Sequence, residues 1–242
     1  MNKIARLVFL VSVIPFVAGA QTEGQAVAAT ALQLTPVGSL PPLGTSTIEG
    51  ETQRGVAFAL RYGYLTSSGG GPNANNGGAT AIIPLGAGTL SLTGGAFSYN
   101  CDGCKPGFMA SIGGDIKLGD MNAGSDGSRI LFAVNGEFGY GQPQGASTSD
   151  GSVVSGAVGL PISWVSGSRT RDGMRIVPYV TPGFGFGTFN GNGSPSGSAA
   201  MIGGGLAIYN RTSSVQLNLG LQYIAVSNAS TQFGVALVLG GR

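Results

Sequence analysis

Two cysteines are the first residues in this sequence whose spacing could support chemistry. Cys101 and Cys104 stand in the segment NCDGCKPG, a spacing shared by redox dithiols, halves of zinc sites and small disulfide loops. A redox dithiol depends on a helix N-terminus to lower one thiol pKa, whereas this segment is predicted to be a turn between strands. A zinc site needs about four ligands, and the sequence has no His and no third Cys. We therefore favour a small structural disulfide between Cys101 and Cys104 over a redox pair or a metal site.

Two carboxylates, Asp115 and Glu137, could support acid–base chemistry, because they fall on the same face of neighbouring predicted strands. The cations Arg61, Lys117 and Arg129 are predicted to face the same way, which is more typical of mutually paired charges than of a catalytic dyad. The absence of His excludes a Ser-His-Asp triad and a histidine-based metal site. We expect no catalytic residue, no metal and no cofactor, and a protein that is not an enzyme.

The elements that position these residues are stretches in which apolar residues alternate with small or polar ones. In RGVAFALRYGYL, residues 54–65, one face is apolar and aromatic and the other is small with one arginine. A period of two residues is the signature of a β-strand, and clusters of Gly, Ser, Asn or Asp mark turns. Ten strands are predicted at 54–65, 78–86, 89–99, 107–119, 128–140, 152–165, 174–189, 198–210, 214–226 and 231–241.

The composition of the second face distinguishes a membrane barrel from a soluble sandwich. A soluble sheet would turn a face rich in charged residues toward water, but here that face is mostly Gly, Ala, Ser, Asn and Gln. Small residues suit a crowded interior, and the apolar face then suits lipid, as in transmembrane barrels. We predict an all-β, closed antiparallel up-and-down transmembrane barrel of about ten strands, within a range of eight to twelve. Its predicted lumen charges are Arg61, Asp115, Lys117, Arg129, Glu137 and Arg175.

Prolines within the predicted strands favour the alternative of a sandwich. Proline lacks the N–H that a ladder needs and prefers edges or bulges, and a closed barrel has no edge. The four prolines concerned are Pro84, Pro161, Pro178 and Pro182. Aromatic residues near the strand ends favour the barrel instead, because membrane barrels carry aromatic girdles at both interfaces. The predicted girdle consists of Tyr62, Tyr64, Tyr99, Tyr140, Trp164, Phe189, Tyr209 and Tyr223.

The N-terminal segment has the features of an export signal. Residues 1–20 contain two cations, the apolar run LVFLVSVIPFVAG and the small residues of Ala18-Gly19-Ala20. Residues 21–53 carry three prolines and no sustained period, so we treat them as a tail or linker, and residues 54–242 as the barrel. Removal of Lys3 and Arg6 leaves 12 − 2 = 10 basic and 10 acidic residues. A net charge near zero argues against nucleic acid as a partner.

From its signal segment and from residue 54 onward, the sequence resembles the small outer-membrane β-barrel proteins of bacteria. The resemblance rests on the alternating pattern, without a motif specific to one family. It implies a location in the cell outer membrane, lipid as a partner, and a non-enzymatic role. That role is either to present surface loops or to pass small solutes through a narrow lumen, and a surface ligand would be a further partner. The alternatives are a secreted or periplasmic β-sandwich binding module and, less favoured, a fibre subunit. The sequence leaves the oligomeric state open.

Overall fold

The computed structural model describes residues 55–67, 73–86, 88–100, 102, 104–145, 151–167, 173–190, 196–210, 215–225 and 230–240. The described residues form eleven strands. They are β1 Ala57–Ser67, β2 Ala74–Leu85, β3 Gly88–Tyr99, β4 Cys104–Asn122, β5 Arg129–Gly145, β6 Ser152–Gly159, β7 Ile162–Val165, β8 Met174–Asn190, β9 Ser196–Asn210, β10 Val215–Ala225 and β11 Ser230–Gly240. Within those ranges no helix is both long and apolar enough to cross a membrane.

The strands form one closed antiparallel sheet. Apart from β6 and β7, which do not pair with each other, each strand pairs with its neighbours along the chain. Strand β1 closes the ring by pairing with β11 from Ala57↔Gly240 to Ser67↔Ser230. Strands β6 and β7 both lie between β5 and β8, so together they occupy one of ten positions around the barrel. The predicted ten-strand closed barrel is therefore confirmed. The alternative of a sandwich is wrong, because a sandwich requires two stacked sheets and the described strands form a single closed one.

All ten predicted strands are present, and their ends differ from prediction by a few residues. The strand predicted at 152–165 is interrupted, since β6 ends at Gly159 and β7 begins at Ile162. Two backbone hydrogen bonds hold the interruption to its neighbours, from Leu160 N to Pro182 O at 2.9 Å and from Ala133 N to Pro161 O at 3.0 Å. The wall therefore stays continuous although the strand does not.

Each proline that favoured a sandwich lies beyond the end of a ladder on one side of its strand, although Pro84, Pro178 and Pro182 stay within the ladder on the other side. Pro84 follows the last β1–β2 pair, Ala57↔Ile82, and precedes the short turn into β3. Pro161 lies in the interruption itself. Pro178 and Pro182 flank the two residues of β8 that pair with β7, Tyr179 and Val180. Each missing N–H thus falls at a site where no ladder bond is needed, and this explains how a closed sheet accommodates four prolines.

The apolar face of the sheet points outward. On β1, Phe58 and Leu60 are each 60% exposed, whereas the alternate residues Ala57 and Ala59 are buried. The same alternation holds along β4, where Ile112 and Ile116 are exposed and Ser111 and Asp115 are buried. The outside of the barrel is therefore apolar, and on these two strands the inward residues are small or polar.

Candidate functional site in the barrel interior

An ion pair crosses the interior of the barrel. Arg61 Nη1 of β1 lies 3.9 Å from Glu137 Oε1 of β5, and the two side chains are 7% and 19% exposed. Strands β1 and β5 are four places apart in a ring of ten, so they stand on nearly opposite walls. The contact therefore connects two distant strands through the interior.

Three hydroxyl groups on the intervening strands complete a polar belt with this pair. Arg61 Nη1 donates to Thr80 Oγ1 of β2 at 3.5 Å and to Thr93 Oγ1 of β3 at 3.3 Å. The two threonine oxygens are 2.9 Å apart. On β4, Ser111 Oγ donates to Glu137 Oε1 at 2.6 Å. The belt links five consecutive strands through these five side chains, and sequence reasoning found only the two charged members.

Asp115, the other predicted lumen carboxylate, is 5% exposed on the inward face of β4. It accepts a hydrogen bond from Thr89 Oγ1 of β3. Glu137 accepts its hydrogen bond from Ser111 instead. The two carboxylates that formed the candidate acid–base pair therefore bond to hydroxyls of different strands. This arrangement supports a structural role for both.

Lys117 and Arg129 meet at a carboxylate that sequence reasoning missed. Asp120 Oδ2 lies 2.7 Å from Lys117 Nζ and 3.7 Å from Arg129 Nη1, near the β4–β5 turn. The register of β4 against β5 shifts between Lys117 and Gly119. This bulge changes which residues face inward and brings Asp120 onto the same side as Arg129. In the sequence, the break in alternation at Leu118-Gly119 was the signal that could have indicated this bulge.

Arg175 lies on β8 opposite Tyr209 of β9, and its alternation with the exposed Met174 and Ile176 places it on the inward face. Strand β8 is not one of the five strands of the belt. The structure therefore brings Arg61 and Glu137 together and places Lys117 and Arg129 around Asp120.

The half of the barrel away from the belt is packed with apolar and aromatic side chains. One buried cluster on β5, β7, β8 and β9 consists of Leu131, Ala133, Val165, Val177, Ala207 and Tyr209. Nearby, Tyr179 of β8 lies over Gly205 of β9, and its hydroxyl donates to the backbone oxygen of Leu219 at 3.3 Å. Gly205 is required there, because a methyl group on it would overlap the tyrosine oxygen and the backbone of β10.

Part of the predicted aromatic girdle faces inward. Tyr62, Tyr140, Trp164 and Tyr223 are exposed on the outer face, and Tyr64 follows the same alternation. Tyr209 is instead buried in the interior cluster, so its assignment to the girdle was wrong. Tyr99 and Phe189 were also wrongly assigned, because both pack against a buried interior cluster of Phe97, Met109 and Val153. Once it is known which residues of each strand face inward, the alternation alone distinguishes the outward aromatic residues from the inward ones.

The predicted Cys101–Cys104 disulfide stays a prediction. Cys101 lies outside the described residues, and Cys104 is described only as the first backbone position of β4. Across the described part of the chain, no group of three or more His, Cys, Asp or Glu side chains could hold a metal ion.

Comparisons with known proteins give structural likenesses at low sequence identity. No protein-family model matches the sequence, and no curated protein does either. The beta domain of the Bordetella autotransporter BrkA is similar with a TM-score of 0.42 and 14% identity, over 77% of this chain and 99% of that one. Ail, the attachment invasion locus protein of Yersinia pestis, is similar with a TM-score of 0.35 and 12% identity, over 78% and 97%. The translocator domain of the autotransporter NalP from Neisseria meningitidis gives 0.34 and 10%, over 80% and 92%.

Proposed function

We propose that this protein is a non-enzymatic barrel of the bacterial outer membrane that anchors surface-exposed connecting segments. The observation that carries the proposal is the apolar outer face of a closed sheet. A soluble protein rarely exposes a large contiguous apolar surface, whereas hydrocarbon requires one. Closure also leaves no unpaired strand edge around the ring, which is the second requirement for a sheet in lipid.

The height of the apolar face supports a membrane-spanning role. On β4 the outward residues run from Phe108 to Leu118, and both ends are exposed. Ten steps of about 3.3 Å give about 33 Å along the strand. At a tilt of about 40° this corresponds to about 25 Å along the membrane normal, which is the usual height of the lipid-facing band.

The filled interior favours anchoring over the passage of solutes. The Arg61–Glu137 pair crosses the lumen at one level. Toward one end, Phe97 and Met109 pack into a buried cluster, and toward the other, Leu131 and Val177 belong to a second. Small barrels of this kind are commonly filled by their own side chains. Passage of small solutes is the second candidate function, because the belt itself is polar.

Substitution by arginine at two depths tests the membrane placement. Ile112 lies near the middle of the band on β4, and Leu118 lies at its end. If hydrocarbon covers this face, Ile112→Arg should cost about 2–4 kcal/mol of folding free energy in lipid vesicles, and Leu118→Arg about 0–1 kcal/mol. Urea unfolding in vesicles measures both. Equal costs at the two depths, or folding that needs no lipid or detergent, would contradict the membrane assignment.

Planar-bilayer recording separates the two candidate functions. A barrel sealed by its own side chains should give no stepwise current at high protein load, and a reproducible unitary current would favour solute passage. Fractionation of cells should place the protein with the outer membrane, and protease treatment of intact cells should cleave its surface segments. These segments are proposed to be the connections at the end of the barrel where residues 68–73 join β1 to β2, and they would offer the contact for any surface ligand.

A further inference from the structure

Beyond residue 20, acidic and basic residues are unevenly distributed along the chain. The tail, residues 21–53, contains Glu23, Glu49 and Glu51 and no Asp, Lys or Arg, so its net charge is −3. Residues 54–242 contain 10 basic and 7 acidic residues, which gives 10 − 7 = +3. The tail and the barrel to which it is attached are therefore of opposite charge.

Among the described residues, positive charge is concentrated at the end of the barrel where β1 begins. Strand β4 ends there, and β5 and β8 begin there. The charged residues that face the lumen at this end, here called the inner mouth, are Lys117, Asp120, Arg129 and Arg175. Three cations therefore face one carboxylate, an excess of two positive charges. Of the other described cations, Arg61 is paired in the interior and Lys105 lies at the opposite end of the barrel.

The cations of the inner mouth are open to a partner that comes from the end of the barrel. The side chains of Lys117 and Arg129 are 28% and 32% exposed. They share the single carboxylate of Asp120, at 2.7 and 3.7 Å. The other described carboxylate of this end, Asp126, lies in the β4–β5 turn and accepts hydrogen bonds from Ser128. The two cations of β4 and β5 therefore attract further acidic groups.

The acidic end of the tail is close enough to reach these cations across the mouth. The tail leads into β1, and β1 and β5 are four places apart in a ring of ten. Strands about 4.8 Å apart and tilted by about 40° make such a ring about 20 Å wide. Glu51 and Glu49 precede Ala57, the first residue of β1, by 57 − 51 = 6 and 57 − 49 = 8 residues. At about 3.3 Å per extended residue they reach about 20 and 26 Å, which spans the mouth.

We propose that the inner mouth is the docking surface for the chain's own tail, with Glu49 and Glu51 paired to Lys117 and Arg129. Two carboxylates match the excess of two positive charges in the mouth. Lipid phosphates do not compete, because these cations face the lumen and not the outer wall. Attachment to β1 gives the glutamates an effective concentration of about millimolar, which a separate acidic partner lacks. A docked tail crosses the opening of the lumen, a role that goes beyond the proposed function.

Zero-length cross-linking of the chain from residue 21 to residue 242 tests the contact directly. A carbodiimide joins a carboxylate to an amine only where the two groups touch. The chain after residue 20 has two lysines, Lys117 in the inner mouth and Lys105 at the opposite end. Mass spectrometry of the digested protein should find Lys117 joined to Glu49 or Glu51, and Lys105 joined to neither. Coupling of Lys117 to Asp120, 2.7 Å away, shows that the reagent reaches the mouth.

Limited proteolysis of tail variants gives the matched comparison. Trypsin cleavage after Arg54 releases the tail, and its rate follows the population of undocked tail when docking is fast. Loss of two exposed ion pairs in Glu49→Gln with Glu51→Gln should raise this rate about fivefold. The control is Glu23→Gln, which removes the same kind of charge 57 − 23 = 34 residues from β1. It should leave the rate unchanged, because a longer loop is costlier to close.

The outcomes separate the docking surface from the membrane assignment. Coupling of Lys117 to Asp120 without coupling to Glu49 or Glu51 would refute docking of the tail. An unchanged cleavage rate in the double variant would refute it as well. An equal increase in Glu23→Gln would also overturn the proposal, because it would indicate a general effect of charge. Neither measurement reports what covers the outer wall, so the proposed function is tested separately by arginine substitution on β4.

Discussion

Replacement of Glu137 by glutamine should destabilise the barrel more than any single change to its exposed ion pairs. Glu137→Gln keeps the size of the side chain and a carbonyl oxygen for the hydrogen bond from Ser111. It removes the charge that faces Arg61. The guanidinium then stays in the interior, where its side chain is 7% exposed, without its counter-ion.

The size of the effect follows from the separation and the burial. Two unit charges 3.9 Å apart attract each other by about 4 kcal/mol at an effective dielectric constant of about 20. Removal of one partner of a buried pair typically costs about 3–5 kcal/mol, because the remaining charge is left uncompensated. Threonine hydroxyls still accept hydrogen bonds from Arg61. We therefore expect a loss of about 3 kcal/mol in the free energy of unfolding, the lower end of that range.

The matched control is Asp120→Asn, which removes the charge that pairs with Lys117 and with Arg129. The contact with Lys117 is shorter, 2.7 Å, but the two side chains are 28% and 37% exposed. Water screens such exposed pairs, and each contributes at most about 1 kcal/mol. Urea unfolding of both variants in lipid vesicles, followed by the fluorescence of Trp164, measures the two losses under one condition.

The comparison is decisive because contact distance and burial predict opposite orders. If contact distance controlled the stability, Asp120→Asn would cause the larger loss in the free energy of unfolding. If burial controls it, Glu137→Gln will cause the larger loss. The double variant Arg61→Met with Glu137→Gln should be more stable than Glu137→Gln alone, since no unpaired charge then stays inside. A loss below that of Asp120→Asn, or no recovery in the double variant, would refute the reasoning.

Two further predictions concern packing and titration. Gly205→Ala should destabilise the barrel because the added methyl group overlaps the Tyr179 hydroxyl, while Gly94→Ala, with no heavy atom within 4 Å of the added group, should not; urea unfolding of the two variants compares them. Ser128 Oγ and the Ser128 N–H donate to the Asp126 carboxylate and hold its pKa below the usual range. This contribution to stability is present above the unfolded pKa of Asp and is lost as the pH falls through the lowered value. Ser128→Ala should raise the Asp126 pKa, as followed by NMR titration.

The fold could be predicted because the alternation is local and nearly unbroken. Along β1 every second side chain from Phe58 to Tyr64 is large and apolar, and along β4 the large apolar residues fall on one alternating face. A two-residue period fixes which face each residue joins. The small and weakly charged residues of the opposite face then favoured a closed barrel over a soluble sandwich. The prolines were less informative. Their effect depends on whether a neighbouring strand needs the missing N–H, and the sequence of a single strand does not show where its ladders end.

The site was predicted only in part, because its contacts depend on features beyond one strand. Asp120 was missed because the strand was predicted to end at residue 119, and because the bulge at Leu118-Gly119 shifts the inward phase beyond it. The pairing of Arg61 with Glu137 depends on the offset that accumulates around the ring, which sets the two residues at one height. That offset is the sum of the registers of every strand between β1 and β5, and no local pattern encodes it.

The high glycine content has a structural explanation in the way the lumen is filled. A barrel with ten strand positions encloses more space than one with eight, and the eight-strand interior is just wide enough for its own side chains to fill. Here large aromatic side chains pack against glycines of adjacent strands, the ring of Phe97 against Gly107 and the hydroxyl of Tyr179 against Gly205. A methyl group on either glycine would overlap the aromatic side chain. These glycines therefore allow aromatic side chains to pack against the inner wall of the barrel.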